Sequence, residues 1–499
     1  MKHQFRLLEN KNRVKYTMTL EIIITCISFL LCLPPIAIAY QARSTFGAIH
    51  LICIVIFIQS LHLLNLLSNE VVVNKFGFVN YIASNAVWVI YSWIFCFGLV
   101  LGRNIFADRK LFDIAVTTRD GWLIAAFLSW IGFKVYLVLI YGVNALSTYR
   151  SLNGVEGLNF KFAWWETGIE NYLASFAVGA CVVYLVKVIS IPDYWKKLQV
   201  SLPLFAFSLP YLVTLESNIG TRRFILLMAI IGTMILWSRE KTILDKLSPK
   251  QLLRYSLLGF IVLLFSFYYQ SVRNNYLVPE IANKLTSSNR AKIFQGIALS
   301  FIPNIPNIPN SSNIPNSSNI PKVISKPAFL RSGPFELTQE MVNILIEHKF
   351  RILKGEITAA SFSTAIPRVI AGEGKSVRRT DDIIAERFSL WPNGKYLIVD
   401  LPTSLPVVFL ADFGFLGVLI APLAMLFGFF VLNVIAQSKV LNVAPWHMIW
   451  ISTLFEFSMG VEYDLTGLLA NIRNVLIVCP LVFLAWMIGK YLVSQKRVA

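Results

Sequence analysis

The stretch LPVVFLADFGFLGVLIAPLAMLFGFFVLNVIA, residues 405–436, contains a single charged residue, Asp412. A helix of about 20 mostly apolar residues crosses the roughly 30 Å hydrocarbon core of a bilayer, so this run predicts a membrane-spanning helix. The whole chain has the same character, because 56% of its 499 residues are hydrophobic and only 14% are charged. Such a composition excludes an ordinary soluble globular protein. We therefore predict an all-α polytopic membrane protein.

Further runs of this kind bring the expected number of transmembrane helices to about 11–12. The predicted spans are 17–40, 47–67, 79–101, 121–143, 169–190, 198–216, 221–237, 254–270, 405–436, 444–461 and 473–493. The first run has no small-residue cleavage site, so it predicts a retained span and not a signal peptide. The spans divide the chain into an N-terminal bundle at 1–270, an outer loop at 271–402 and C-terminal helices at 403–499.

Orientation follows from the short connections, because Lys and Arg accumulate in those on the cytoplasmic side. The connection 238–254 holds five basic residues and predicts the inner side for itself and for 102–120 and 192–197. The outer side then holds the connections 144–168, 217–223 and 271–402. The charge rule fails for the N-terminal region, because eleven spans place the basic N-terminus on the outer side. A missed or wrongly split span before residue 101 is our interpretation.

Two segments of the outer loop have clear patterns. FIPNIPNIPNSSNIPNSSNIP, within residues 301–321, repeats Asn-Ile-Pro and Asn-Ser-Ser units from about 302 onward. Its prolines remove backbone donors, so we expect an extended or disordered insert. PFELTQEMVNILIEHKFRILKG, residues 334–355, places Met341, Ile344 and Leu345 at helical spacing. This pattern predicts an amphipathic helix, lying either on the membrane surface or over the mouth of the bundle.

Arg222 and Arg223 occupy the short outer turn SNIGTRRF, residues 217–224, directly before an apolar run. A charge drawn into the bilayer costs about 2.5–3.5 kcal/mol, and the charge rule disfavours this side. We therefore expect an anionic ligand at the outer interface to compensate. Anchoring to lipid headgroups is the alternative.

Two stretches near the end of the outer loop carry a resemblance. They are STAIPRVIAGEGKSVRRTDDIIAERF, residues 363–388, and DLPTSLPVVFLADFGFLGVLIAPL, residues 400–423. They resemble the late periplasmic loop and following span of the bacterial oligosaccharide repeat-unit polymerases, the Wzy or O-antigen polymerase family. SNIGTRRF is similar to the small-polar-Arg turn of that family. The Asn-Ile-Pro insert departs from the family pattern.

The resemblance implies a glycosyltransferase of the bacterial cytoplasmic (inner) membrane that joins polyprenyl-diphosphate-linked oligosaccharides into O-antigen or a similar polysaccharide. An acceptor hydroxyl attacks the anomeric carbon of the donor and the polyprenyl diphosphate leaves, with no metal or cofactor. Arginine suits this leaving group because its planar fork binds phosphate oxygens in pairs. The predicted substrate-binding residues are Arg222, Arg223, Arg273, Arg368, Lys375 and Arg378.

A general base would assist the attacking hydroxyl. The candidates on the outer side are His348, Glu386 and Asp400, with Asp412 and Glu462 at the outer ends of spans. Asp412 also suits the cap of the helix that follows it. The expected partners are the lipid-linked oligosaccharides and membrane lipids, with a chain-length regulator as a further candidate and no nucleic acid.

Metal-binding patterns are missing from the sequence: the five histidines have no paired spacing, and all six cysteines lie in apolar spans, where core packing is expected. Three rival functions remain open. A lipid-linked oligosaccharide flippase predicts ionisable residues deep in several spans and two similar halves, and neither feature is apparent. An inert assembly or sensor protein is the second rival. An O-antigen ligase shares the donor chemistry but transfers to lipid A core.

Overall fold

The computed structural model describes residues 2–60, 62–63, 66, 77–107, 109–141, 164–191, 194, 333–347, 352–366, 380–388, 403–438, 440–441, 446–458, 460–462 and 464–495. Every regular element within these ranges is helical, and all of them belong to one compact unit. Five helices are long and apolar enough to span a membrane: Leu20–Gln41, Phe78–Leu101, Asp120–Ile140, Leu405–Gln437 and Leu465–Leu484. The predicted all-α polytopic membrane fold is confirmed.

Seven helices precede the outer loop in the described part of the chain. They are α1 (Lys2–Gln41), α2 (Thr45–Ile54), α3 (Phe78–Leu101), α4 (Arg103–Phe106), α5 (Arg109–Thr117), α6 (Asp120–Tyr141) and α7 (Trp164–Ser190). A π-helical stretch, Val55–Ser60, continues α2. The predicted spans 198–216, 221–237 and 254–270 and the insert at 302–321 lie outside the described residues.

The described part of the outer loop forms three helices, and the C-terminal region forms four. The loop helices are α8 (Gly333–Glu347), α9 (Glu356–Ala365) and α10 (Thr380–Phe388). The C-terminal helices are α11 (Leu405–Phe413), α12 (Gly417–Gln437), α13 (His447–Ser458) and α14 (Leu465–Gln495).

The apolar run 405–436, predicted as one span, is divided into α11 and α12. Gly414 ends α11 with a φ of +62°, a conformation that is unfavourable for residues with a Cβ atom. A Cβ atom on Gly417 would lie 2.0 Å from the carbonyl oxygen of Phe409, so only glycine permits this close approach. After this break, α12 is an apolar helix of 21 residues. α11 packs against the loop helices α8 and α9.

Contacts between helix ends define two sides of the bundle. Gln437, at the end of α12, donates from Nε2 to the carbonyl oxygen of Ile105 at 2.6 Å. The Thr118 hydroxyl lies 2.7 Å from Nε2 of His447, where α13 begins. The connections 102–120 and 438–446 therefore meet on one side. We call it the inner side, because the charge rule assigns 102–120 there.

The outer-loop helices lie at the opposite side, which we call the outer side. Asn80, at the start of α3, donates from Nδ2 to Oδ1 of Asn343 on α8 at 2.6 Å. Tyr81 reaches Thr25 near the start of the apolar part of α1, so the basic beginning of α1 also lies at the outer side. The described residues before 101 contain no additional helix that could be the missing span.

Cysteine labelling can test these two sides. We expect a membrane-impermeant thiol reagent to label Glu386→Cys from outside the cell and to leave Arg103→Cys unlabelled until the membrane is opened. Both side chains are exposed to solvent, so a difference in labelling reports the side of the membrane and not the burial of the residue. The parent protein should have its six cysteines replaced. Labelling of Arg103→Cys from outside, with Glu386→Cys protected, would reverse the assignment.

Candidate functional site

The N-terminal end of α9 is held by Asp412, which is completely buried. Its carboxylate accepts hydrogen bonds from the backbone N–H groups of Ile357 and Thr358 at 3.0 and 2.7 Å, and from the Thr358 hydroxyl at 2.6 Å. The first N–H groups of a helix have no partner inside the helix, and a negative charge there also favours the helix dipole. Asp412 therefore fixes the start of an outer-loop helix to α11.

This geometry changes the interpretation of Asp412. The prediction that it caps the following helix is wrong, because it caps α9, which precedes it in the chain. Both of its carboxylate oxygens accept hydrogen bonds from protein donors. Because both oxygens are occupied, Asp412 is poorly suited to act as the general base.

The C-terminal end of α9 is held by Arg473 of α14. Its Nη1 donates to the carbonyl oxygen of Ala365 at 3.1 Å, and its Nε and Nη2 donate to Oδ1 of Asn474 at 3.2 and 2.9 Å. Arg473 is half-buried, and none of these acceptors carries a charge. By contrast, the buried Lys134 and Lys187 pair with the carboxylates of Glu170 and Asp120. Within the described spans, Arg473 is thus a cation whose positive charge is not neutralised by a carboxylate.

Sequence analysis missed Arg473 because it placed the last span at 473–493, which puts the arginine at the end of the apolar run. The helix begins at Leu465 instead, so Arg473 lies two turns inside it. The available signal was an arginine within the apolar stretch Leu465–Leu484. An ionisable residue within a span is a functional candidate because its burial is unfavourable unless it serves a purpose.

Side contacts connect α9 to its neighbours. The Thr466 hydroxyl donates to Oγ of Ser361 at 3.0 Å, and it lies 3.1 Å from the Thr380 hydroxyl of α10. Glu356 forms a paired salt bridge with Arg387 at 2.8–3.2 Å, and this carboxylate raises the pKa of Arg387. We call α9 with its supports Asp412, Thr466 and Arg473 the outer platform.

α8 packs on the bundle, which decides between the two positions predicted for the amphipathic helix. Met341 and Leu345 are completely buried, and Ile344 is nearly so. The Phe335 ring stacks against the ring of His62 with centroids 4.0 Å apart. α8 therefore covers the outer ends of α3 and of the segment that follows α2.

Besides Asp412, the structure places two of the predicted site residues, Glu386 and Glu462, and Glu462 ends the short helix Gly460–Glu462. Glu386 is exposed on α10, next to Arg387. The others lie outside the described residues: His348, Asp400, Arg222, Arg223, Arg273, Arg368, Lys375 and Arg378. Residues 367–379 follow α9 directly, so the Ile-Pro-Arg segment begins where Arg473 holds the end of that helix.

Ligands for a metal are not gathered in the described part of the chain, where no group of three or more His, Cys, Asp or Glu side chains is suited to hold one. Cys32, Cys53, Cys96 and Cys181 are buried, as the core-packing interpretation predicts. The chain matches no protein-family model, no curated protein and no solved structure. The outer platform is therefore interpreted from its own geometry and from the sequence.

Removing the Asp412 carboxylate should release α9. We expect Asp412→Ala to weaken the docking of α9 by roughly 1.5–3 kcal/mol, the range for hydrogen bonds to charged groups. Ser361→Cys, at a buried position, should then react with a thiol reagent about tenfold faster or more in a cysteine-free protein.

Glu356→Gln is the matched control, because it removes a carboxylate of the same helix whose ion pair with Arg387 is partly exposed to solvent. Such pairs contribute about 0–1 kcal/mol. Equal reactivity of Ser361→Cys in the Asp412→Ala and Glu356→Gln proteins would show that Asp412 does not hold α9.

Proposed function

We propose that the chain is a glycosyltransferase that polymerises polyprenyl-diphosphate-linked oligosaccharide repeat units at the outer face of the bacterial cytoplasmic membrane. The resemblance of residues 363–388 and 400–423 to the O-antigen polymerase family motivates the proposal. The multi-pass helical fold and the docking of the outer loop on the spans are compatible with a site at that face.

The observation that carries the proposal is the outer platform. Asp412 and Arg473 fix both ends of α9, and the segment that contains Arg368, Lys375 and Arg378 begins immediately afterwards. Arg473 adds a positive charge at the same end of α9, and no carboxylate within the described ranges pairs with it. A diphosphate at the membrane surface is the kind of anion that such an arrangement of arginines binds.

The proposed reaction requires two tasks of the protein. Arginines bind the diphosphate and stabilise its charge as the bond to the anomeric carbon breaks. A base accepts the proton of the acceptor hydroxyl that forms the new glycosidic bond. Glu386 is the described candidate for that base, because its carboxyl group is exposed on α10, which packs against α9. The polyprenyl diphosphate leaves with its electron pair, so the donor supplies its own activation.

Buried charges favour a transporter as the second candidate. Lys134 of α6 pairs with Glu170 of α7, and both side chains are nearly inaccessible to solvent. Sequence analysis found no ionisable residues deep in several spans, but this pair and the buried Glu21 supply them. A flippase would move the lipid-linked sugar without lengthening it. A ligase would transfer it to lipid A core.

Replacements of Arg473 can separate its charge from its contact with α9. Arg473→Gln keeps an N–H donor for the Ala365 carbonyl and loses the positive charge. We expect this variant to lose at least about 90% of polymer synthesis, and Arg473→Lys to recover only part of it, because Lys keeps the charge without the paired donors. The double variant Arg222→Ala, Arg223→Ala should also lose most synthesis. The readout is the ladder of polysaccharide lengths in cells that lack the native gene.

Arg387→Ala is the matched control, since it removes an outer-side arginine that already pairs with Glu356. Membrane levels of each variant and the reactivity of Ser361→Cys report on insertion and on the docking of α9. A full ladder from both Arg473→Gln and the double variant would contradict the proposed role of these arginines.

A further inference from the structure

A second group of buried polar side chains lies at the outer side, between α1, α3 and the segment after α2. Glu21, Thr25, His62 and Tyr81 have between 0% and 3% of their surface exposed. Glu21 and Thr25 are four residues apart, so they share one face of α1. We call these four residues the outer seam. It does not belong to the outer platform.

Hydrogen bonds connect the residues of the outer seam. The Thr25 hydroxyl donates to the backbone carbonyl of Glu21 at 2.9 Å. The Tyr81 hydroxyl lies 2.5 Å from the Thr25 hydroxyl and 3.4 Å from the same carbonyl, to which it can donate. Nε2 of His62 lies 2.7 Å from the Tyr81 oxygen, and the tautomer of His62 decides which of the two atoms donates. Among the described residues, the buried Nδ1 of His62 has no hydrogen-bond partner.

Further buried atoms in and beside the seam have no hydrogen-bond partner within the described part of the chain. Three are acceptor oxygens, Oε1 of Glu21, Oε1 of Gln59 and Oδ1 of Asn85, and one is a donor, Nε2 of Gln59. Gln59 precedes His62 by three residues, and Asn85 follows Tyr81 by one helical turn. Each unmet buried group costs about 1–3 kcal/mol. The excess is on the acceptor side, so what the seam lacks is a donor or a cation.

The Glu21 carboxylate also has no positive counterpart among the described residues. The apolar part of α1, residues 20–41, contains no Lys or Arg, and neither do α2 with its π-helical continuation, α3 and α8. The other buried carboxylates of the described part are different, because Glu170 pairs with Lys134, Glu166 accepts a hydrogen bond from the Tyr136 hydroxyl, and Asp412 accepts three hydrogen bonds. Protonation would neutralise Glu21 but leave the acceptors unmet. A bound cation would satisfy both requirements.

We propose that the outer seam binds a small monovalent cation, with Glu21 as its charged ligand. Carboxylate, hydroxyl and amide oxygens are the donors that hard cations prefer, and a single carboxylate matches a single positive charge. The π-helical stretch that contains Gln59 is of a kind often found at functional sites. By comparison, His50 bonds through both ring nitrogens, to the Ser458 carbonyl and the Tyr91 hydroxyl, so it is a satisfied core residue.

α8 covers this cation site. Phe335 stacks on His62, and Asn343 accepts the hydrogen bond from Asn80 next to Tyr81. The cation therefore stabilises the surface on which this outer-loop helix packs. Because ligand binding to the folded state raises its stability, the ion should be visible in thermal unfolding.

The test uses the purified full-length protein in detergent, with the apparent unfolding temperature measured in NaCl, KCl or choline chloride at constant ionic strength. We expect a saturable rise in Na⁺ or K⁺ that choline does not produce. Glu21→Gln should abolish the rise, and Thr25→Val should weaken the apparent ion affinity about tenfold. Glu356→Gln, which changes a partly exposed carboxylate outside the seam, should respond like the wild type.

Equal unfolding temperatures of the wild type in all three salts would overturn the proposal, and so would an unchanged ion response in Glu21→Gln. Stabilisation by acid that depends on Glu21, without any ion effect, would assign a proton to the site and also overturn it. If Glu21→Gln fails to fold, the ion comparison in the wild type and the Thr25→Val affinity still decide the question.

Discussion

The bonds between the Asp412 carboxylate and the first turn of α9 connect the outer loop to the membrane-spanning helices. A buried carboxylate is stable only when its oxygens are occupied by donors, and the free N–H groups of a helix start supply them. The chain breaks directly after Asp412, because Gly414 ends α11 and Gly417 allows α12 to begin close to the Phe409 carbonyl. The position of the outer platform therefore depends on a break in an apolar run that otherwise resembles one long span.

Most charged side chains inside the described spans have protein partners, and Arg473 and Glu21 are two exceptions. Lys134 and Lys187 have carboxylate partners, Glu166 accepts from the Tyr136 hydroxyl, and the Asp412 carboxylate has three donors. Arg473 and Glu21 have no partner of opposite charge in the described structure, and both lie toward the outer side. A membrane protein tolerates such groups where they meet a ligand. The two exceptions have opposite sign, so we assign an anion to the first and a cation to the second.

The sequence predicted the helical membrane fold and the buried face of α8, because these depend on composition and periodicity. It did not predict the partner of Asp412, since that contact joins residues 55 positions apart and no local pattern encodes it. Arg473 and Glu21 were missed because each stands near the predicted end of a span, where a charge is ordinary. Only the helix bounds and packing reveal that Arg473 lies inside its helix and that Glu21 is buried.

We propose that the chain lengthens a lipid-linked oligosaccharide at the outer face of the membrane. The most direct measurement incubates the purified protein with one polyprenyl-diphosphate-linked repeat unit, without nucleotides, and follows the length of the sugar chain and the release of polyprenyl diphosphate together. We predict a ladder of products with one polyprenyl diphosphate released for each glycosidic bond formed. A donor returned unchanged by folded protein, with its lipid merely moved across a vesicle bilayer, would contradict the account and establish a transporter.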